Sequence, residues 1–214
     1  EYSALACVGS IKFEDTLKIL KKRGEFMQEA VPSGEGAMLA VLGVASKELD
    51  KILEINNKKY ECFIANDNSN LQVVVSGLKK DINLLSDDLN DKKIKNLKLN
   101  VSAPFHCKYM KTASDKMTNY INDLKMNDLE KPIISNVTAS ETSSSKEIKS
   151  LLISQIEKKV RWLESVEYMI NNGVKNFVEI GPGKVLSGLI KRIDKNVNVN
   201  SINSEEDIKL FIND

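Results

Sequence analysis

The chain has 214 residues, 42% of them hydrophobic, and its 31 basic and 30 acidic residues leave a net charge of +1. A chain of this length and hydrophobic fraction can form one substantial hydrophobic core, with or without a smaller second core. The balanced charge, with lysines spread along the whole chain, argues against nucleic-acid binding. No apolar run approaches the ~20 residues of a membrane-spanning helix, so we expect a globular protein without membrane contact.

The three cysteines, Cys7, Cys62 and Cys107, are far apart in sequence and odd in number. They lack the paired spacing of metal ligands, so neither a disulfide framework nor a zinc site is expected and the compartment is predicted to be reducing. Cys107 follows the only histidine directly. Because neighbours in sequence seldom point at each other, we interpret Cys107 as a small packing residue.

Helical patterns at residues 1–9 and 13–30 open the chain. The first begins without a cap, and because a helix needs partners for its first amide groups, we expect further residues before Glu1. Strand patterns at 38–44, 60–65, 72–75 and 97–101 then alternate with helical patterns at 46–54, capped by Ser46, and 79–89. That order, βαββαβ, predicts a ferredoxin-like subdomain over residues 35–102.

Longer alternating units follow. Helices are predicted at 108–124, 146–158, 161–171, 184–193 and from 205, and strands at 132–137, 176–180 and 197–202, with a polar loop at 138–145. Strands alternating with helices favour a parallel sheet covered on both faces. The sequence therefore predicts an α/β fold in which residues 1–34 and 103–214 form one core, interrupted by the insert at 35–102.

The only histidine, His106, lies where the strand pattern at 97–101 ends in the turn Ser102-Ala103-Pro104-Phe105. Its ordinary pKa near neutrality makes it the obvious candidate for proton transfer, and strand ends are where sites are commonly built. A surface histidine or a hydrogen-bonded core histidine is the more frequent alternative at such a position. Residues elsewhere must decide between them.

Only Arg23, Arg161 and Arg192 can supply a planar fork for bidentate binding of an anion. Arg23 follows two lysines on an amphipathic helix, so it is either part of a solvated face or a clamp for a substrate carboxylate. Asn66 and Asn68 are expected in the turn that joins the two central strands of the insert.

The string Gly181-Pro182-Gly183 lies between a predicted strand and a predicted helix, where backbone amides can receive an anion. It is not a phosphate loop, because Val178 stands where that motif requires glycine. The alternatives are a structural tight turn and a wall of an active site.

Six strings of the chain are informative together: residues 1–5 (EYSAL), 23–30 (RGEFMQEA), 65–68 (ANDN), 102–106 (SAPFH), 165–169 (SVEYM) and 179–186 (EIGPGKVL). In order and in register across essentially the whole chain, they resemble the malonyl-CoA:acyl carrier protein transacylase family. The resemblance implies an α/β-hydrolase-like core with a ferredoxin-like insert and an active site in the gorge between them. It also implies a nucleophilic serine in a Gly-His-Ser-Leu-Gly elbow just before Glu1, so we expect these 214 residues alone to be inactive.

The resemblance further implies transfer of a malonyl group from malonyl-CoA to the phosphopantetheine thiol of acyl carrier protein, for fatty acid synthesis, through a seryl ester. His106 would be the general base, oriented by a main-chain carbonyl whose position Gln155 matches. Arg23 would hold the malonyl carboxylate. Asn66 and Asn68 match polar gorge residues of the insert, and Phe105 would narrow the substrate pocket against a methyl branch. Met27 is either a core residue or a wall of that pocket. The acidic carrier protein would meet scattered lysines, with Arg192 as a candidate contact.

On this interpretation the enzyme needs neither cofactor nor metal, has malonyl-CoA and acyl carrier protein as partners, and is a monomer of a plastid-type organelle or a bacterial cytoplasm. Two alternatives stay open. A serine esterase on the same core would use His106 but would not need Arg23, and a non-catalytic acyltransferase-like domain would only bind the carrier protein.

Overall fold

A computed structural model describes residues 1–213, with side chains to residue 212. The chain forms two compact units, one from Glu1 to Trp162 and one from Leu163 onward. This division falls elsewhere than the sequence-based boundaries of the insert. Within the described residues, no helix has the length and apolar character required to cross a membrane.

The first unit contains a βαββαβ segment flanked by helices. Its helices are α1 (Tyr2–Cys7), α2 (Phe13–Gln28), α3 (Ser46–Ile55), α4 (Lys79–Asp91), α5 (Lys111–Asn122) and α6 (Ser145–Gln155), with a 3-10 turn at Lys108–Met110. Its strands are β1 (Gly36–Leu42), β2 (Cys62–Ser69), β3 (Gln72–Leu78), β4 (Asn96–Lys98), β5 (Ile133–Ile134) and β6 (Glu141–Thr142). Helix α7 (Trp162–Asn171) begins at the division, and the second unit continues with β7 (Asn176–Ile180), α8 (Val185–Ile193), β8 (Asn198–Ile202) and α9 (Glu205–Asn213).

Four strands form an antiparallel sheet in the order β2-β3-β1-β4. Side chains alternate between the two faces, as a strand requires. Leu39 and Val41 of β1 pack in a core with the apolar faces of α3 and α4. Met38 and Ala40 lie in a second, smaller cluster, against which Phe105 packs. The sheet thus contacts the segment that carries His106.

A separate helical core fills the rest of this unit. Buried side chains from α1, α2, α5 and α6 meet there, represented by Leu5, Ile19, Met117 and Leu152. These apolar positions recur at helical spacing, so each helix presents one stripe to its neighbours. Phe105 packs against this core as well, and therefore lies between the helices and the sheet.

Strand β2 is longer than the sequence indicates. Asn66 and Asn68 lie within the strand, and the turn is formed by Asn70 and Leu71. The strand continues because bulges between Ile64 and Asn66, and again before Ser69, keep its polar residues in register with β3. The prediction that both asparagines occupy the turn was wrong.

Two other local predictions were also wrong. Ser46 is the first residue of α3, whose N-cap is Ala45. The polar loop at 138–145 contains β6, which pairs antiparallel with β5, so the strand predicted at 132–137 has no parallel partner within the described residues. Two-residue strands with polar sequences carry little periodic signal, which is why the pattern missed β6.

In the second unit β7 and β8 pair in parallel, with α8 between them in sequence. The intervening turn has positive φ at Gly181 and Gly183, 134° and 95°. The Glu179 carboxylate accepts hydrogen bonds from the backbone amides of Leu186 at 3.1 Å and Ser187 at 2.7 Å. A side chain of the protein therefore fills the anion-binding position at the start of α8.

Candidate active site

His106 has a left-handed backbone conformation, with φ of 59°. Residues other than glycine seldom adopt this backbone conformation, and such strain persists only where the surrounding structure enforces it. Here the preceding turn is fixed by Pro104, whose carbonyl accepts a hydrogen bond from the Cys107 thiol at 3.0 Å. Burial raises the pKa of the Cys107 thiol, so this cysteine is a packing residue and not a thiolate nucleophile.

The His106 ring makes one hydrogen bond within residues 1–213, from Nδ1 to the main-chain oxygen of Gln155 at 3.0 Å. Because a carbonyl can only accept, Nδ1 carries the proton and Nε2 keeps its lone pair. The pKa of His106 is lowered to about 4, chiefly by burial and also by the positive charge of Arg23, while the hydrogen bond to Gln155 acts in the opposite direction. At neutral pH the imidazole is therefore uncharged and able to accept a proton at Nε2.

Arg23 lies on α2, and its Nη2 donates to the side-chain Oε1 of Gln155 at 2.7 Å. Its Nε is buried and has no hydrogen-bond partner in the part of the chain that the structure describes. Burial lowers the pKa of the guanidinium, but arginine stays charged in proteins at neutral pH. A partly buried cation with an N–H group to spare is suited to receive an anion.

Gln155 connects the two groups. It is the last residue of α6 and is 7% exposed. Its backbone contacts His106 and its side chain contacts Arg23, residues that are far apart in sequence. The chain beyond α6 then joins the insert, since Val160 donates to Ala65 at 2.8 Å and accepts from Asp67 at 2.9 Å.

Known proteins resemble this chain both in sequence and in structure. Residues 1–206 match the acyl transferase domain family. The malonyl CoA-acyl carrier protein transacylase of Bacillus subtilis (strain 168) is 41% identical over 217 residues, which cover 99% of this chain and 68% of that protein. The enzyme of the same name from Staphylococcus aureus (strain MRSA252) is 41% identical over 215 residues, which cover 98% of this chain and 68% of that protein.

This chain belongs to the malonyl CoA-acyl carrier protein transacylase family. The solved transacylase of Clostridium perfringens superimposes with a TM-score of 0.94 at 39% identity, covering 100% of this chain and 67% of that structure. A malonyl-transacylase in complex with its type II PKS acyl-carrier protein superimposes with a TM-score of 0.92 at 34% identity, covering 100% of this chain and 70% of that structure. The mixed α/β fold is therefore that of the transacylases.

The other residues singled out from the sequence lie on several elements of the two units, and each is placed here by its own contacts. Phe105 precedes His106 and packs against the helical core in which Met27, 3% exposed, is buried. Asn66 bridges to Val160, and Asn68 is half-buried on β2. Arg192 is exposed on α8 of the second unit. Of the candidate site residues, only His106, Gln155 and Arg23 are joined by direct hydrogen bonds to one another within residues 1–213.

Sequence reasoning overlooked one polar group of this transacylase chain. Tyr2 is 6% exposed, and its hydroxyl has no hydrogen-bond partner within residues 1–213. Burial raises its pKa to about 12, opposed by the charge of Arg23. Its place in the first of the family strings was the available signal. In the described part of the chain, no group of three or more His, Cys, Asp or Glu side chains is placed to hold a metal ion.

Proposed function

We propose that this chain carries the base and the carboxylate receptor of an enzyme that transfers malonyl groups from malonyl-CoA to the phosphopantetheine thiol of acyl carrier protein, for fatty acid synthesis. Family membership supports the reaction. The observation that supports the residue roles is the pair of hydrogen bonds made by Gln155, which link the imidazole of His106 and the partly buried guanidinium of Arg23 to one residue.

In the first half-reaction a serine hydroxyl attacks the thioester carbonyl of malonyl-CoA and its proton passes to Nε2 of His106. The carbon–sulfur bond then breaks, and the CoA sulfur leaves with the proton from the imidazolium. In the second, the carrier thiol gives its proton to Nε2, its sulfur attacks the seryl ester, and the serine oxygen regains the proton. Base catalysis of this kind contributes roughly 10²- to 10⁴-fold. That the serine lies before Glu1 stays a prediction.

Arg23 would bind the free carboxylate of the malonyl group. A charge-assisted pair with a buried guanidinium is stronger than a neutral hydrogen bond, and an uncharged acyl group in the same place would leave the cation without a partner. This asymmetry would favour malonyl over acetyl groups. Phe105 would narrow the pocket, with Met27, Asn66 and Asn68 along its walls, and Arg192 would contact the acidic carrier protein.

We also propose the finer architecture that the resemblance implies, an α/β-hydrolase-like core of residues 1–34 and 103–214 with a ferredoxin-like subdomain at 35–102. The order β1-α3-β2-β3-α4-β4 and the antiparallel sheet β2-β3-β1-β4 support the second assignment. We assign the protein, as a monomer, to a reducing compartment, a bacterial cytoplasm or a plastid-type organelle. The free thiols of Cys7, Cys62 and Cys107 support this assignment.

The test is a substrate comparison with the complete protein that contains this chain. Purified enzyme is given malonyl-CoA or acetyl-CoA together with acyl carrier protein bearing its phosphopantetheine arm, and a simple aryl ester in a parallel assay. Transfer of malonyl groups to the carrier thiol, well above acetyl transfer and ester hydrolysis, is expected. Hydrolysis of simple esters without preference for malonyl groups would identify an esterase, and carrier binding without turnover a non-catalytic domain.

A further inference from the structure

Gln155 contacts two different residues, one through its main chain and the other through its side chain. Its main-chain oxygen accepts from His106 Nδ1 at 3.0 Å, and its side-chain Oε1 accepts from Arg23 Nη2 at 2.7 Å. The resemblance to the family assigns a role only to the main-chain oxygen. The side-chain contact joins residues 132 positions apart and is partly buried, so it is a tertiary contact and not a local helix feature.

We propose that the Gln155 side chain is a positioning residue for Arg23, which fixes the guanidinium so that its remaining N–H groups face the substrate carboxylate. The inference rests on the proposed function and assigns a specificity role within that site. A guanidinium presents its donors in a rigid plane, so anchoring one corner sets the direction of the others. The buried Nε, without a protein partner within residues 1–213, is one of the donors so directed.

The anchor is a neutral amide, and its neutrality has a consequence. An acidic partner at this place would pair with Arg23 and compensate its charge, which would weaken the attraction for a second carboxylate. Oε1 of Gln155 holds the guanidinium by one hydrogen bond and leaves its full positive charge in a partly buried site. The side chain can therefore orient Arg23 without reducing its affinity for an anion.

The two roles of Gln155 are separable by mutation. The main-chain oxygen that orients His106 is present whatever the side chain is, whereas the contact with Arg23 needs Oε1. A neutral side-chain substitution should therefore change recognition of the malonyl carboxylate and leave the protonation of His106 unchanged. A residue that merely supports the end of α6 would affect both acyl groups alike.

The experiment compares Gln155→Met and Gln155→Glu with the unsubstituted complete protein. Methionine keeps the length of the side chain without a strong acceptor. We expect it to raise KM for malonyl-CoA and to lower the malonyl-to-acetyl ratio of kcat/KM by about 10- to 100-fold, the scale of a lost hydrogen bond to a charged group. Glutamate should lower the ratio further, because its carboxylate competes for Arg23. The acid limb of the kcat/KM pH profile should not move in Gln155→Met, which leaves the charge of Arg23 unchanged.

Ser154→Ala is the control, since Ser154 lies on the same turn of α6 and its side chain makes no hydrogen bond in the described structure; it should leave the ratio unchanged. Equal losses for malonyl and acetyl groups, or an unchanged ratio, in Gln155→Met would overturn the inference. If that variant does not fold, the ratio measured with Gln155→Glu decides in the same way. Failure of the unsubstituted protein to transfer malonyl groups would instead refute the proposed function.

Discussion

His106 holds a left-handed backbone conformation and places its Nδ1 3.0 Å from the carbonyl oxygen of Gln155. The fold thereby settles both the tautomer of the ring and its charge, because the carbonyl fixes the proton on Nδ1 and burial disfavours the imidazolium. No carboxylate is needed to orient the ring. The imidazole ring is thus oriented and uncharged by contacts within the chain itself.

Replacement of His106 by alanine in the complete protein should lower kcat for both half-reactions by about 10²-fold or more, because proton transfer at Nε2 is lost. Single-turnover assays of malonyl loading and of transfer to the carrier protein would measure the two steps separately. Circular dichroism and thermal unfolding provide the control for folding. Normal turnover in either step would show that His106 takes no part in it.

The stability of the folded chain should fall as the pH is lowered from about 6.5 to about 4. The pKa of His106 is about 4 in the folded state against 6.5 for an unperturbed histidine, so the unfolded chain binds the proton first. This difference in pKa contributes up to about 3 kcal/mol to the free energy of unfolding above pH 6.5. The contribution is lost progressively as the pH falls from about 6.5 to about 4.

Urea unfolding between pH 4 and 7 would measure that dependence, with His106→Asn as the comparison. Asparagine does not titrate and tolerates the left-handed conformation. The variant should lose less stability on acidification than the unsubstituted chain. Parallel curves for the two proteins would mean that His106 keeps an ordinary pKa in the folded state.

Gly36→Ala should destabilise the first unit and displace the His106 turn. A Cβ at Gly36 would lie 2.2 Å from Pro104 Cδ and 2.8 Å from Ala103 Cα, so the turn would have to shift. Overpacking of this kind costs about 1 to 3 kcal/mol. Gly24→Ala on α2 is the matched control, because a Cβ at Gly24 would have no neighbouring atom within 4 Å in the described structure. This substitution should stabilise the helix by up to about 1 kcal/mol. Denaturant unfolding would compare the two, and equal effects would contradict this packing.

Much of the fold follows from periodicity. The continuous apolar run of β1, and the apolar spacing of Ile82, Leu85 and Leu89 on α4, lead directly to the buried faces that the structure shows. The extent of β2 does not follow, because asparagines are typical of turns and only pairing with β3 and Val160 keeps them in a strand. Tertiary hydrogen bonds of this kind leave no periodic trace in the sequence.

The candidate site, like the fold, could be predicted from the sequence only in part. The presence of one histidine and only three arginines makes His106 and Arg23 candidates by residue type alone. That both groups depend on Gln155 could be expected only in part, since the resemblance implied the main-chain contact with His106 but not the side-chain contact with Arg23. A glutamine at a helix end has many possible partners, and the choice between them is made by packing.

The decisive measurement is the kcat/KM of Arg23→Ala and Arg23→Lys for malonyl-CoA and acetyl-CoA in the complete protein. Removal of the guanidinium should lower kcat/KM for malonyl-CoA by the equivalent of roughly 2 to 4 kcal/mol of transition-state stabilisation. It should also raise the relative use of acetyl-CoA, because no unpaired cation remains to disfavour an uncharged acyl group. Lysine should restore only part of the malonyl activity, since an ammonium lacks the planar fork. Equal losses for both thioesters would contradict the account, because Arg23 would then support the fold and not recognise the carboxylate.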